Sequence, residues 1–246
     1  MTPPHPAPEG APFAGRLVVL TGVAHRGQVG EVVARAFATR GAAVALLDRN
    51  SVEAEARAAE LRAAGGTATA WPCDLTDHAA LGVVAAALSE RYPDGVAALV
   101  CLAGGFGSLG PVGESDPATW ERMLAINLAT AYATTRAFLP ALRRARGRIT
   151  YFASAAALPG GQLAGIAAYG VAKGGIVTLM HAVAAEERDA GVCANALAPT
   201  AIRTESNVAS MGDDKNYVER ETVAEWVTFL SDPASGPVSG QVIQLG

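Results

Sequence analysis

The sequence predicts a doubly wound α/β domain, built on one open parallel sheet of about seven strands with helices on both faces. Three observations lead there. Short, nearly continuous apolar runs alternate with longer segments of helical periodicity, as happens when strands are covered on both faces. The order is strand then helix along the whole chain, which calls for right-handed βαβ crossovers. The 246 residues, half of them hydrophobic, can bury one large core, and no linker or composition break divides them.

Each element follows in turn. RLVVL (residues 16–20) reads as the first strand, and a helix is expected over about 31–39. AAVALL (42–47) is the second strand, followed by an alanine- and glutamate-rich helix at 52–64 that stops at Gly65 and Gly66. TATAWP, VAALVCL and GRITYFA are the third, fourth and fifth strands, separated by helices at about 79–91 and 117–143. A helix over about 167–190 leads to a sixth strand, VCANALA (192–198), and VAEWVTFL and QVIQL close the chain as helix and seventh strand. The long irregular segment at 199–214 follows the sixth strand, where open parallel sheets bind ligands, and is a candidate lid.

The formal net charge is −4 with no block of like charges, which argues against a nucleic-acid surface. Cys73, Cys101 and Cys193 lie far apart without CxxC spacing, so small buried hydrophobes are expected rather than disulfides, and no metal site. Residues 1–14 hold five prolines and no apolar signal-like run, and read as a disordered tail before a single domain over 15–246. No apolar run reaches the roughly 18 residues of a membrane span, so a soluble cytoplasmic protein is expected.

TGVAHRGQVG (residues 21–30) sits between the first strand and the first helix. There one glycine permits a sharp turn, and another lets backbone approach a pyrophosphate at the positive helix end. The spacing is neither GxGxxG nor a P-loop, so a purely structural turn is an equal reading. Asp48 ends the second strand, 26 residues after Gly22, where a carboxylate can bind a ribose diol or merely open the next turn. Asp74 follows the third strand, and Ala103, Gly104 and Gly105 follow the fourth. All four features fall at one edge of the sheet.

AAYGVAKGG puts Tyr169 and Lys173 four apart on one helix face. A phenol titrates near 10. An ammonium about 4 Å away contributes roughly 4 kcal/mol at an effective dielectric near 20, so a lowered Tyr169 pKa is expected. Ser154 ends the fifth strand, where its hydroxyl can point into the same crevice. His5, His25, His78 and His181 are scattered, so no histidine is placed to make Ser154 a hydrolytic nucleophile.

With these residues in place, the chain from about residue 15 onward resembles the short-chain dehydrogenase/reductase family. The pattern is TG…G..G, Asp48, CDLTD, AGG, INLATAY, the FAS/YGVAK pair, NALAPTAIRT and FLSDPASGPVSGQ, in the family's order. The resemblance implies a Rossmann-like sheet of order 3-2-1-4-5-6-7 and an NAD(P)-dependent oxidoreductase that interconverts carbonyls and alcohols. It implies Tyr169 as acid/base, Lys173 as its partner and ribose ligand, Ser154 as holder of the substrate oxygen, and Asn127 on a water-linked proton path. The implied cofactor contacts are Gly22, Arg26, Gly27, Val29, Gly30, Asp48, Arg49, Asp74, Leu75, Ala103, Gly104, Gly105, Tyr169, Lys173, Pro199, Ile202 and Thr204.

Asp48 favours NAD by repelling a ribose phosphate, whereas Arg26 and Arg49 keep NADP as the alternative. The glycine turn is wider than the family's, the usual NNAG is Cys101-Leu102-Ala103-Gly104, and the usual PG is Pro199-Thr200. The segments 106–113, 155–165 and 201–211 are the expected substrate walls. The expected partners are a small carbonyl or alcohol substrate and copies of the chain in a homotetramer or homodimer, with neither nucleic acid nor membrane. Other readings are an NADPH-dependent reductase of a 3-oxoacyl thioester or pterin-like ring, and a dinucleotide-binding regulatory protein without chemistry.

Overall fold

The computed structural model describes residues 11–108 and 110–246. The elements, in chain order, are β1 (Leu17–Thr21), α1 (Val29–Ala38), β2 (Ala43–Asp48), α2 (Ser51–Ala63), β3 (Thr67–Pro72), α3 (His78–Arg91) and β4 (Val96–Cys101). Then come α4 (Pro117–Leu124), α5 (Thr130–Ala145), β5 (Arg148–Phe152), α6 (Ala167–Glu186), β6 (Cys193–Pro199), α7 (Glu205–Met211), α8 (Arg220–Ser231) and β7 (Val242–Leu245). The seven strands form one sheet in the order β3-β2-β1-β4-β5-β6-β7, and every neighbouring pair is parallel. The chain therefore reverses its winding between β1 and β4, which opens a crevice at the carboxyl ends of those strands.

Strand alternation sorts the core into two layers. Leu17 and Val19 point to the face covered by α3, α5 and α6, where they meet Leu81, Phe138 and Met180. Val18 and Leu20 point to the other face, against Val33 and Phe37 of α1 and Trp226 and Val227 of α8. Side-chain caps start the helices: the Asn50 carboxamide accepts from Glu53 N, the Asp77 carboxylate from Ala79 and Ala80 N, and the Asp116 carboxylate from Ala118 and Thr119 N. Pro117 follows Asp116 at the first helical position, where its missing N–H costs nothing.

Two expectations need correction. Residues 1–10 of the expected tail lie outside the described residues, but residues 11–14 form a turn and belong to the fold. Phe13 is fully buried, its ring edge-on to Phe37 at 5.0 Å. Apolar burial wins over a proline-rich context. Second, the segment after β6 is not irregular throughout: Thr204 caps α7, its hydroxyl accepting from Asn207 N at 3.1 Å. Seven residues with no buried side chain leave too faint a periodicity to read.

Candidate active site

The carboxyl ends of β1, β2, β4, β5 and β6 bring the expected residues to one edge. Thr21 ends β1, and its hydroxyl accepts from Ala103 N at 3.2 Å and donates to Val100 O at 3.4 Å. These bonds tie the glycine turn to the loop after β4. Gly22 has φ +68°, and a Cβ there would lie 2.5 Å from the Ala103 Cα, so only glycine fits. Gly30 lies in the first turn of α1 against Val23, which lets the helix approach the strand closely.

Gly27, with φ +71°, faces the first residue of α7: a Cβ would collide with the Glu205 carboxyl group. Gly27 N donates to Glu31 Oε2 at 2.8 Å, and Glu205 N donates to Gly27 O at 3.2 Å. Asp48 accepts from Ala24 N at 3.1 Å and Asn50 N at 3.0 Å, so the carboxylate clamps the turn to the tip of β2. Each of its oxygens keeps a lone pair for another donor.

Arg26 is exposed and paired with Glu60 at 2.9 Å, and Arg49 is exposed. Asp74 is turned into its own loop, accepting from the Thr76 hydroxyl at 2.7 Å and Thr76 N at 2.9 Å. Those bonds hold its carboxyl below the ordinary range. Leu75 beside it is buried. Val29 begins α1, Pro199 ends β6, Ile202 bridges to Val218, and Thr204 is buried at the cap of α7.

Ser154, Tyr169, Lys173 and Asn127 converge. Ser154 is buried just past β5, its Oγ accepting from Ala156 N at 3.3 Å, and its hydroxyl lies close enough to the Tyr169 phenol to favour the phenolate. Lys173 lies one helical turn beyond Tyr169, with Nζ 5.7 Å from the ring centroid. Its ammonium donates to Phe152 O at 2.8 Å. Burial without a counter-charge lowers the Lys173 pKa from 10.5 to about 8.

Tyr169 corrects the expected direction: its pKa is raised. Burial of the phenol outweighs every other influence, and the Ser154 hydroxyl offsets it only in part. Phe106 contributes to that environment, its ring edge-on to Tyr169 at 5.2 Å while it stays 68% exposed.

Asn127 lies in a π-helical turn, Ala125–Ala129, that joins α4 to α5. Such a turn inserts one residue and re-aims its side chains, which is why it recurs at functional sites. Asn127 Oδ1 accepts from Gly105 N at 3.1 Å, and Nδ2 donates to Gly105 O at 3.0 Å and Met123 O at 3.1 Å. A Cβ on Gly104 would lie 2.5 Å from Asn127 Oδ1 and 3.5 Å from Lys173 Nζ. With Thr21, this carboxamide braces the loop whose two expected asparagines are replaced by Cys101 and Leu102.

The sequence reading missed several contributors. Thr21, Phe152 O and Glu205 act through long-range contacts that leave no periodic signal, and Glu31 acts through a four-residue reach back to Gly27 N. On the substrate side the Ser108 hydroxyl donates to Gly165 O at 3.1 Å and joins the loops after β4 and β5. Phe106, Leu163 and Met211 are exposed apolar residues of the three expected walls. A separate concavity of about 600 Å³ lies at the opposite sheet edge, lined by Arg16, Arg91, Tyr92 and Asp94 among others, and holds none of the site residues. Among the described residues no group of three or more His, Cys, Asp or Glu is placed to hold a metal ion, and no helix is long and apolar enough to cross a membrane.

These residues fit a nicotinamide dinucleotide in kind: a glycine turn at a helix N-terminus, a carboxylate at the tip of β2, and a buried lysine beside a tyrosine. Residues 16–215 match the family profile described as short chain dehydrogenase. Over 231 residues, spanning 85% of this chain and 96% of the relative, the chain is 38% identical to the inactive 2-(S)-hydroxypropyl-CoM dehydrogenase 2 of Xanthobacter autotrophicus. It is 32% identical, over 86% of this chain and 88% of the relative, to 2-(S)-hydroxypropyl-CoM dehydrogenase 3 of that organism. A crystal structure from Beutenbergia cavernae, assigned as an NAD(P)-dependent gluconate 5-dehydrogenase with NADP bound at low occupancy, superposes with a TM-score of 0.83. It is 31% identical, and the match covers 95% of this chain and 96% of that one.

Proposed function

This chain belongs to the short-chain dehydrogenase family of NAD(P)-linked oxidoreductases, and we propose that it interconverts a secondary alcohol and its carbonyl with Tyr169 as acid and base. The observation that carries this is the meeting of Ser154, Tyr169 and Lys173 at the tip of β5.

The bound nicotinamide supplies or accepts the hydride. Gly22, Val29 and Gly30 shape the turn that receives the phosphates. Asp48 takes the adenosine ribose, Lys173 the nicotinamide ribose, and Ala103, Gly104, Gly105, Pro199, Ile202 and Thr204 line the remaining groove. Ser154 donates a hydrogen bond to the substrate oxygen and so fixes the reacting carbon. In reduction Tyr169 gives its proton to that oxygen, and in oxidation it takes the proton back. Burial holds the phenol protonated, which suits the donor direction. The Lys173 ammonium stabilises the phenolate left behind, and with a pKa of about 8 it exchanges protons near neutrality. Asn127 holds the loop at Gly105 and extends the proton path.

NAD is the favoured cofactor. Asp48 would repel a ribose phosphate, and Arg26, one of the two bases that could welcome one, is paired with Glu60. Phe106, Leu163 and Met211 favour an apolar group beside the reacting carbon. Both hydroxypropyl relatives are named for a secondary alcohol. One of them is named inactive; retention of Ser154, Tyr169 and Lys173 separates this chain from a purely regulatory reading. Tyr132 on α5 and Val171 on α6 are exposed apolar residues consistent with a homotetramer, which light scattering would check.

The deciding experiment is a panel of ketones and secondary alcohols with NAD(H) and NADP(H), run on wild type and Tyr169→Phe. Turnover with wild type, at least a thousandfold less with the variant, and similar cofactor affinity in both are expected. Comparable activity in the variant would refute the role of Tyr169, and a wild-type preference for NADP(H) would overturn the cofactor assignment.

A further inference from the structure

The glycine turn carries an arrangement that a phosphate site does not need. At the amino end of a helix the free N–H groups and the dipole attract anions. Here the chain's own carboxylates have taken that place. Gly27 N donates to Glu31 Oε2 at 2.8 Å, and the Glu205 carboxyl group fills the space above the Gly27 α-carbon. Glu31 has Arg220 at 4.0 Å as partial compensation. No ion pair involving Glu205 is present among the described residues.

Further contacts hold Glu205 there. Glu205 N donates to Gly27 O at 3.2 Å, and the Ser206 hydroxyl donates to Gln28 Oε1 at 3.1 Å. Otherwise α7 is tied mainly to its own loop. Asn207 Nδ2 donates to Ile202 O, and the Tyr217 hydroxyl donates to Asn207 O and Gly212 O. The helix buries none of its residues, and it ends at Gly212 with φ +84°. It can therefore move as a unit without breaking the core.

We propose that Glu205 and α7 form a latch on the glycine turn, so that the dinucleotide pyrophosphate and the Glu205 carboxylate compete for the same space over Gly27 and the cofactor binds by lifting α7. This rests on the dinucleotide reading above. Glu205 is then a residue that weakens cofactor binding and couples it to the position of the lid on the substrate side.

The test is direct binding of NADH and NADPH, by calorimetry and tryptophan fluorescence, to wild type, Glu205→Gln and Ser206→Ala. Glu205→Gln removes the charge while keeping the shape, and should bind about tenfold more tightly at low ionic strength, an advantage that shrinks near ~0.5 M salt. Ser206→Ala loosens the anchor without changing charge and should bind more tightly by a smaller factor that salt leaves alone. If all three proteins bind NADH or NADPH equally, or Glu205→Gln binds more weakly while its circular dichroism and melting curve match wild type, the latch is wrong and the dinucleotide reading stands. If none binds either nucleotide, the dinucleotide reading fails and the latch with it.

Discussion

The Lys173 ammonium donates to the carbonyl of Phe152 at 2.8 Å, at the end of β5 and two residues before Ser154. The same contact orients the lysine toward Gly104 and pins the α6 surface to the strand tip. Its cost is a charge held in the core. The folded protein releases the Lys173 proton at about 8, whereas the ordinary value is 10.5. Between those values the unfolded chain binds more protons, so stability rises with pH across that window. Below about pH 8 the penalty is fully present, about 3 kcal/mol.

Lys173→Met should lack that slope. Urea unfolding at pH 7.5 and 9.5 should show wild type gaining about 2 kcal/mol relative to the variant. Turnover by the variant should fall by orders of magnitude at both values. A parallel pH dependence in the two proteins would mean that Lys173 is not buried as a charge.

The Phe106 ring lies edge-on to the Tyr169 phenol and covers one side of it. Replacing it with alanine opens one side of Tyr169, and the burial that raises the phenol pKa weakens. Phe106→Ala should therefore move the Tyr169 titration downward, read as the ultraviolet phenolate signal of this variant minus that of the Phe106→Ala, Tyr169→Phe double variant. KM for apolar substrates should rise more than kcat falls. An unmoved titration would assign the ring to loop packing alone.

Phe13 tests where the domain begins. Phe13→Ala removes a ring that is fully buried against Phe37, and should cost about 3–5 kcal/mol. Chains shortened to start at residue 11 and at residue 15 should differ by a similar amount in chemical denaturation. Equal stability would return Phe13 to the tail.

The sheet was legible because its strands alternate so regularly: Leu17 and Val19 for one layer, Val18 and Leu20 for the other. Tyr169 and Lys173 were legible because helical spacing alone places them together. What escaped depends on distance in sequence or on solvent. Glu205 meets Gly27 across the width of the chain, so no local pattern announces it. The direction of the Tyr169 shift turns on burial, which a reading based on charge spacing omits. Phe13 was hidden by the prolines before it. The carboxamide of Asn127 grips Gly105, in a loop that has Cys101 and Leu102 where the family's asparagines would stand.

The π-turn at Ala125–Ala129 accommodates one residue more than an α-helical turn would. Loss of any one residue from this stretch would let α4 and α5 merge into regular helix, with the flanking helices in nearly the same phase but the bulge that aims Asn127 gone. Asn127 would swing off Gly105 even if its codon were untouched. This region should thus tolerate many replacements but no change of length, and the reading frame of the helix becomes as essential as the identity of the residues it carries.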